Sequence, residues 1–252
     1  MTGYRGMRPA PALRLPLMLA FVLLAGCAAQ PPSGIGTEAR LRVAWAAELS
    51  NNVSLARAMY AAAATESWND RAIQLNAAKG LARTGAPADA MAILTEAVRR
   101  LPGDREPRRT LASLQIMNGL PARAEQTLTA LLAERPEDDG IRTNLGVALD
   151  MLHRHAEARA LYRAVLARDP GDLETANDLA VSLLLTGDKT GARTVLDPFR
   201  GRPDVPERMR TTMTLSEGNA DGNADPSVAA LSRALKDRGT PVSLSPLPVP
   251  RH

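Results

Sequence analysis

The sequence predicts an all-α protein, a solenoid of antiparallel helix pairs, and three observations carry the prediction. First, an alanine recurs every 34 residues, at Ala56, Ala90, Ala124, Ala158 and Ala192. In the same frame a small residue recurs at Ala44, Ala78, Ala112, Gly146 and Ala180, and a larger apolar one at Tyr60, Leu94, Leu128, Tyr162 and Leu196. Second, punctuating residues keep the same step: Pro102, Pro136 and Pro170, and Gly85, Gly119 and Gly187. Third, 45% of the 252 residues are hydrophobic but only 3% are aromatic, so the core must be built from Ala and Leu. Such a core suits close helix packing and suits sheets poorly.

Four residue types holding one 34-residue period resemble the tetratricopeptide repeat, a helix–turn–helix unit. The resemblance implies a right-handed superhelical solenoid that grips other proteins, with no enzymatic activity and no cofactor.

Residues 1–26 read as a lipoprotein signal peptide. Arg5, Arg8 and Arg14 precede an apolar run from Leu15 to Leu24 that ends in Leu24-Ala25-Gly26-Cys27. The run is too short to span a bilayer as a helix and has the basic flank of a signal. Cys27, the only cysteine, stands where it resembles the lipobox of a bacterial lipoprotein, which implies cleavage before it and lipid attachment to its sulfur. Ala28 follows instead of Asp, and in the proteobacterial sorting rule this favours the outer membrane, facing the periplasm. The formal net charge of +4 falls to +1 when those three arginines are taken away, and the remaining charges of both signs interleave. A nucleic-acid partner is therefore not expected. Residues 27–36 form the lipidated cysteine and a Gly/Pro-rich tether.

Five repeats follow in the segment 37–206, at 37–70, 71–104, 105–138, 139–172 and 173–206. The small residue at the eighth position lets the two helices of a repeat approach, and the alanine at the twentieth fills the matching contact. Leu101-Pro102-Gly103-Asp104 and Asp169-Pro170-Gly171-Asp172 stop one helix with Pro and offer Asp to cap the next, with Arg135-Pro136-Glu137-Asp138 as a variant. The turn glycines permit the tight reversal between helices. His153 takes that place in the fourth repeat, so a different turn is expected there. Gln115 stands where Leu81, Leu149 and Leu183 are core residues; it either bonds to a backbone group or marks a slightly open third repeat. Residues 207–238 are expected to hold a degenerate sixth helix pair that caps the solenoid, with helices at 205–217 and 226–238. The stretch 239–252 carries Pro241, Pro246, Pro248 and Pro250 and reads as a disordered tail.

Tempting fragments fail on chemistry. Asp221-Gly222-Asn223-Ala224-Asp225 has alternating oxygens, but Pro226 sits where a calcium loop needs glycine and Ser232 where it needs a bidentate Glu. Gly187-Asp188-Lys189-Thr190 lacks the first glycine and the strand of a phosphate loop. His153-Arg154-His155 has no cysteine or carboxylate spaced to complete a metal site. No catalytic residue, metal site or small-molecule substrate is assigned.

In arrays of this kind the inner groove is lined by the first helices, at about the second, fifth, ninth, twelfth and thirteenth positions. Transferred to this sequence, the candidate partner-binding residues are Trp45, Lys79, Arg109, Met117, Thr143, Asn144, Val147, Met151 and Asn177, with Leu41, Leu75, Ser113 and Val181 beside them. Leu75, Val147 and Val181 fit packing between repeats equally well. The mixture suits a peptide or an amphipathic helix.

Two segments narrow the family. Asn144-Leu145-Gly146-Val147-Ala148-Leu149 and Asn177-Asp178-Leu179-Ala180-Val181-Ser182-Leu183 open successive repeats. The latter runs into Thr186-Gly187-Asp188, then Val195-Leu196-Asp197-Pro198 and Pro206-Glu207-Arg208-Met209-Arg210. This pattern resembles the TadD lipoproteins of Flp/Tad pilus assembly, although Thr211-Thr212-Met213 departs from it. The resemblance implies an outer-membrane-tethered periplasmic protein that acts as a pilotin for the pilus secretin. Scaffolds for cell-wall hydrolases and accessories of exopolysaccharide or cellulose export share the fold, anchor and compartment.

Overall fold

A computed structural model describes residues 35–217, and every one of its regular elements is helical. The helices are α1 (Thr37–Leu49), α2 (Val53–Glu66), α3 (Arg71–Arg83), α4 (Pro87–Arg100), α5 (Arg105–Met117), α6 (Pro121–Glu134), α7 (Asp139–Met151), α8 (His155–Leu166), α9 (Leu173–Leu185), α10 (Lys189–Leu196) and α11 (Glu207–Glu217). Each packs on the next, and each first helix also packs on the first helix of the following pair (α1 on α3, and so on to α9 on α11). First helices that touch one another must lie on the inner side of the curve, which makes the array a solenoid with α1, α3, α5, α7 and α9 lining one face. Among the described residues no helix is long and apolar enough to cross a membrane. The signal segment, Cys27, the 226–238 helix and the tail from 239 lie outside the described residues.

The recurring alanines form the seam of each pair. Ala56, Ala90, Ala124, Ala158 and Ala192 have no exposed surface, nor do Ala44, Ala78, Ala112 and Ala180 opposite them. Leu94, Leu128, Tyr162 and Leu196 at the twenty-fourth position are equally buried. Caps set the period of the junctions. Asp70, Asp104, Asp138 and Asp172 each accept a hydrogen bond from the first turn of the helix they precede, for example from the Ala72 amide at 2.9 Å and the Ile141 amide at 3.0 Å. Such a cap contributes about 1 kcal/mol.

The turn within each pair is the same in all five. Asn51, Gly85, Gly119, His153 and Gly187 occupy the fifteenth position and all have left-handed φ, from 57° to 81°. The expectation of a different turn at His153 is therefore corrected. The imidazole is exposed to solvent there, so the side chain meets no packing obstacle and only the backbone strain remains. Asp188, part of the fragment resembling a phosphate loop, accepts from the Gly191 amide at 2.8 Å and so caps α10.

Pro198 follows a short α10, and Asp197–Phe199 continues as a single 3-10 turn. The apolar core divides into two clusters that meet within α5. One holds buried residues from Ala44 to Leu114, the other from Ala112 to Met209. Gln115 lies at this meeting point, buried, and its amide oxygen has no hydrogen-bond partner among the described residues. Of the two alternatives for Gln115, a backbone hydrogen bond to that oxygen is absent among the described residues.

Candidate protein-binding groove

The fifth, ninth and thirteenth positions of a first helix are four residues apart and share one face. On α1 these are Leu41, Trp45 and Leu49. Trp45 is 39% exposed and Leu49 70%, and they are the exposed large hydrophobic side chains among the described residues. Moving along the array the same face closes. On α3 Leu75 is buried while Lys79 and Arg83 are half-buried; on α5 Ser113 is buried between half-buried Arg109 and Met117. On α7 Thr143 and Val147 are buried and only Met151 is partly open, and on α9 Asn177 and Val181 are buried.

This corrects part of the expected site. Thr143, Val147 and Asn177 are buried instead of lining an open groove. The Thr143 hydroxyl donates to the Asp139 carbonyl at 2.8 Å and lies 3.0 Å from the Thr175 hydroxyl of α9. Asn144 is half-buried on the flank of α7. The structure brings Trp45, Lys79, Arg109 and Met117 onto the accessible part of the inner face.

The groove is basic beside its apolar end. No carboxylate lies within ion-pair distance of the Lys79 amine among the described residues. Burial pushes this ammonium below its ordinary value, opposed by the charge of Glu106 and reinforced by that of Arg83. Arg109 reaches only long contacts, 3.5 Å to Glu106 and 3.8 Å to Asp138. A cavity of about 500 Å³ opens beside it, where Arg71, Arg105 and Arg135 converge with Asp104, Glu106 and Asp138.

Two polar clusters that sequence reading missed brace the array. The Tyr60 hydroxyl donates to Glu48 at 2.8 Å, and Arg83 of the next repeat donates to the same carboxylate at 2.6 and 2.9 Å. In the fourth repeat the Tyr162 hydroxyl donates to Asp150 at 3.0 Å, Ser182 of the next repeat donates at 2.8 Å, and His155 Nδ1 lies at 2.8 Å. Both pairs join the twelfth and twenty-fourth positions. Where position twenty-four is Leu94, Leu128 or Leu196, position twelve is Ala82, Ile116 or Leu184. That matching of tyrosine with acid, and of leucine with apolar residue, was a signal available in the sequence.

The Arg83 hydrogen bond draws Glu48 below its ordinary 4.5, with burial opposing and Tyr60 assisting. Burial pushes Asp150 up instead, against its bonds from His155, Ser182 and Tyr162. A carboxylate with a depressed folded pKa contributes stability above its unfolded pKa and loses it as pH falls through the folded one. Glu48→Gln is therefore expected to lower the melting temperature at neutral pH. The gap to wild type should close as the pH is taken below the ordinary glutamate value, and thermal melts across that range check it. A gap independent of pH would mean that Glu48 carries no such bond.

Among the described residues no group of three or more His, Cys, Asp or Glu side chains is placed to hold a metal ion. A tetratricopeptide-repeat family model matches residues 81–145 and 151–201. The fold is shared with solved structures at low identity. A tetratricopeptide repeat protein from Parabacteroides merdae ATCC 43184 has a TM-score of 0.62 at 13% identity, covering 79% of this chain and 84% of that one. MamA 41-end from Desulfovibrio magneticus RS-1 has 0.56 at 15%, covering 68% and 99%. A further MamA structure has 0.52 at 18%, covering 64% and 88%. No curated protein sequence matches the chain.

Proposed function

We propose that this tetratricopeptide-repeat solenoid is a protein-binding scaffold, anchored to the outer membrane through lipid on Cys27 and facing the periplasm. In that place it works as a pilotin-like assembly factor for the secretin of a Flp/Tad pilus. The observation that carries the scaffold reading is the open end of the inner face, where Trp45 and Leu49 stay exposed while the equivalent positions of the fourth and fifth repeats are largely buried. Tandem repeats of this type commonly present such a concave surface to a partner. The pilotin role is supported by the sequence resemblance, which covers most of residues 24–215. A membrane anchor raises the effective concentration of the array near a channel subunit, so modest groove affinity suffices.

Capture from detergent-solubilised outer membranes tests the assignment, with wild type beside a Trp45→Ala/Leu49→Ser variant and mass spectrometry as the readout. Both side chains are exposed, so the variant should fold with little change in stability. Secretin and Tad-pilus components retained by wild type and lost from the variant are the expected result. Wall hydrolases or polysaccharide-export proteins in their place would move the assignment to one of those scaffolds.

A further inference from the structure

We infer that the exposed strip of α1, formed by Trp45, Ala46 and Leu49, rests on the bilayer that holds the protein, so that lipid covers the open end of the groove until a protein partner displaces it. The inference rests on the anchored-scaffold reading and adds what occupies that end when no partner is bound.

The place of the strip in the chain points to lipid. Trp45 and Leu49 are the exposed large hydrophobic side chains among the described residues, and both stand on the helix nearest in sequence to Cys27. Ten residue steps separate Cys27 from the first residue of α1, a span of at most about 33–36 Å. Trp45 and Leu49 lie eight and twelve residues into α1, about 12 and 18 Å along its axis. With lipid on Cys27, both side chains stay within reach of the bilayer surface.

The strip also borders an end of the described array, which a flat surface can reach. Ala46 is exposed, whereas its equivalents in the four later repeats, Gly80, Leu114, Ala148 and Ser182, are buried. These face the preceding repeat: a Cβ on Gly80 would fall 2.3 Å from the Tyr60 ring, and Ser182 donates to Asp150. No repeat precedes α1 among the described residues, so Arg42, Trp45, Ala46 and Leu49, which share one face of the helix, stay uncovered.

The chemistry of that face fits the boundary between headgroups and acyl chains. An indole sets its apolar body among the chains and its N–H among the headgroups, and the leucine adds apolar area beside it. The exposed residues around the strip are Glu38, Arg42, Ser50, Asn51 and Asn52. One acid and one base leave no net charge, so a zwitterionic surface suffices. Two side chains do not hold a protein on a membrane by themselves. The anchor does that, and by keeping lipid close it lets so small a contact form.

The test places the lipidated full chain in vesicles of phosphatidylethanolamine and phosphatidylcholine and follows tryptophan emission. Trp45 and Trp68 are the two tryptophans. Trp68 is half-buried, with the Arg100 guanidinium 5.1 Å from its ring centroid, so Trp68→Phe keeps an aromatic ring there and leaves Trp45 as the reporter. In that variant, lipids with brominated acyl chains should quench most of the emission. Trp45→Phe, which reports Trp68 instead, should not be quenched. Added to Trp68→Phe, Leu49→Glu should remove most of the Trp45 quenching while the anchor keeps the protein on the vesicles. Leu49 is 70% exposed, so this change leaves the fold intact. Salt at about 1 M, where the Debye length is about 3 Å, should change nothing.

Anchored protein whose Trp45 is not quenched overturns the inference and leaves the anchor and the scaffold standing. So does quenching that Leu49→Glu leaves intact, the incidental contact of any tethered protein, and so does quenching that salt removes. Trp45 shielded from aqueous acrylamide yet untouched by brominated lipid would mean that a second copy covers the strip, and overturns it too. A chain whose mass shows no lipid on Cys27 overturns the anchor reading together with the inference. The capture in detergent, where no bilayer competes, tests the scaffold by itself.

Discussion

Tyr162→Ala is expected to lower stability by about 3–5 kcal/mol, the loss usual for emptying the site of a large buried aromatic. Tyr162 has no exposed surface. Its ring lies so close over Gly146 that a Cβ on that glycine would fall 2.4 Å from it, which explains why the small residue of this repeat is glycine and not alanine. Truncation leaves a void between α7 and α8. It also takes a donor from Asp150, whose side chain is fully buried, and so strands part of its charge. Against the roughly 5–15 kcal/mol that holds a domain together, this is a large share. Tyr162→Phe separates the two effects, since it keeps the ring and removes only the hydroxyl, at an expected cost of about 1–3 kcal/mol. Urea denaturation followed by the helical circular dichroism signal measures both. A Tyr162→Ala loss below about 1 kcal/mol would contradict the packing described here.

Cys27→Ser is expected to move the protein from the membrane fraction to the soluble periplasm. Serine lacks the thiol that the proposed lipid attachment requires. One acyl chain of myristoyl length anchors only marginally, at ~0.8 kcal/mol per buried CH₂, whereas several chains on one residue hold firmly. The change should therefore be close to complete in fractionated cells. Unaltered retention of Cys27→Ser in washed membranes would sink the lipoprotein reading.

What the sequence disclosed and what it hid have separate physical causes. The helical solenoid was legible because steric seams leave a strict signature. Ala90, Ala124 and Ala158 are fully buried in the seams, and Gly85, Gly119 and Gly187 mark left-handed turns. His153 concealed the same turn, because the strain is modest and an exposed side chain tolerates it, as Asn51 does in the first repeat. The groove was legible only in part. Trp45, Lys79 and Arg109 are accessible, but Thr143, Val147 and Asn177 are buried, because exposure on an inner face depends on which side chains the neighbouring repeats supply, as Thr175 of the next repeat meets Thr143. A position number within one repeat does not carry that information. The braces at Glu48 and Asp150 went unseen because each needs a residue from the next repeat, Arg83 or Ser182, to complete it.

The capped junctions have a consequence for how such a protein changes length. An aspartate ends each of the first four repeats and a left-handed residue stands at the midpoint of all five, so the backbone of these joints is built alike. Gain or loss of a whole 34-residue unit would leave each cap facing its own helix and would extend or shorten the inner face by about one helix spacing, some 8–10 Å. Gain or loss of a single residue inside a helix would instead rotate everything beyond it by about 100°. The array is a ruler graduated in whole repeats, adjustable in reach by recombination at joints other than those where Arg83 meets Glu48 and Ser182 meets Asp150.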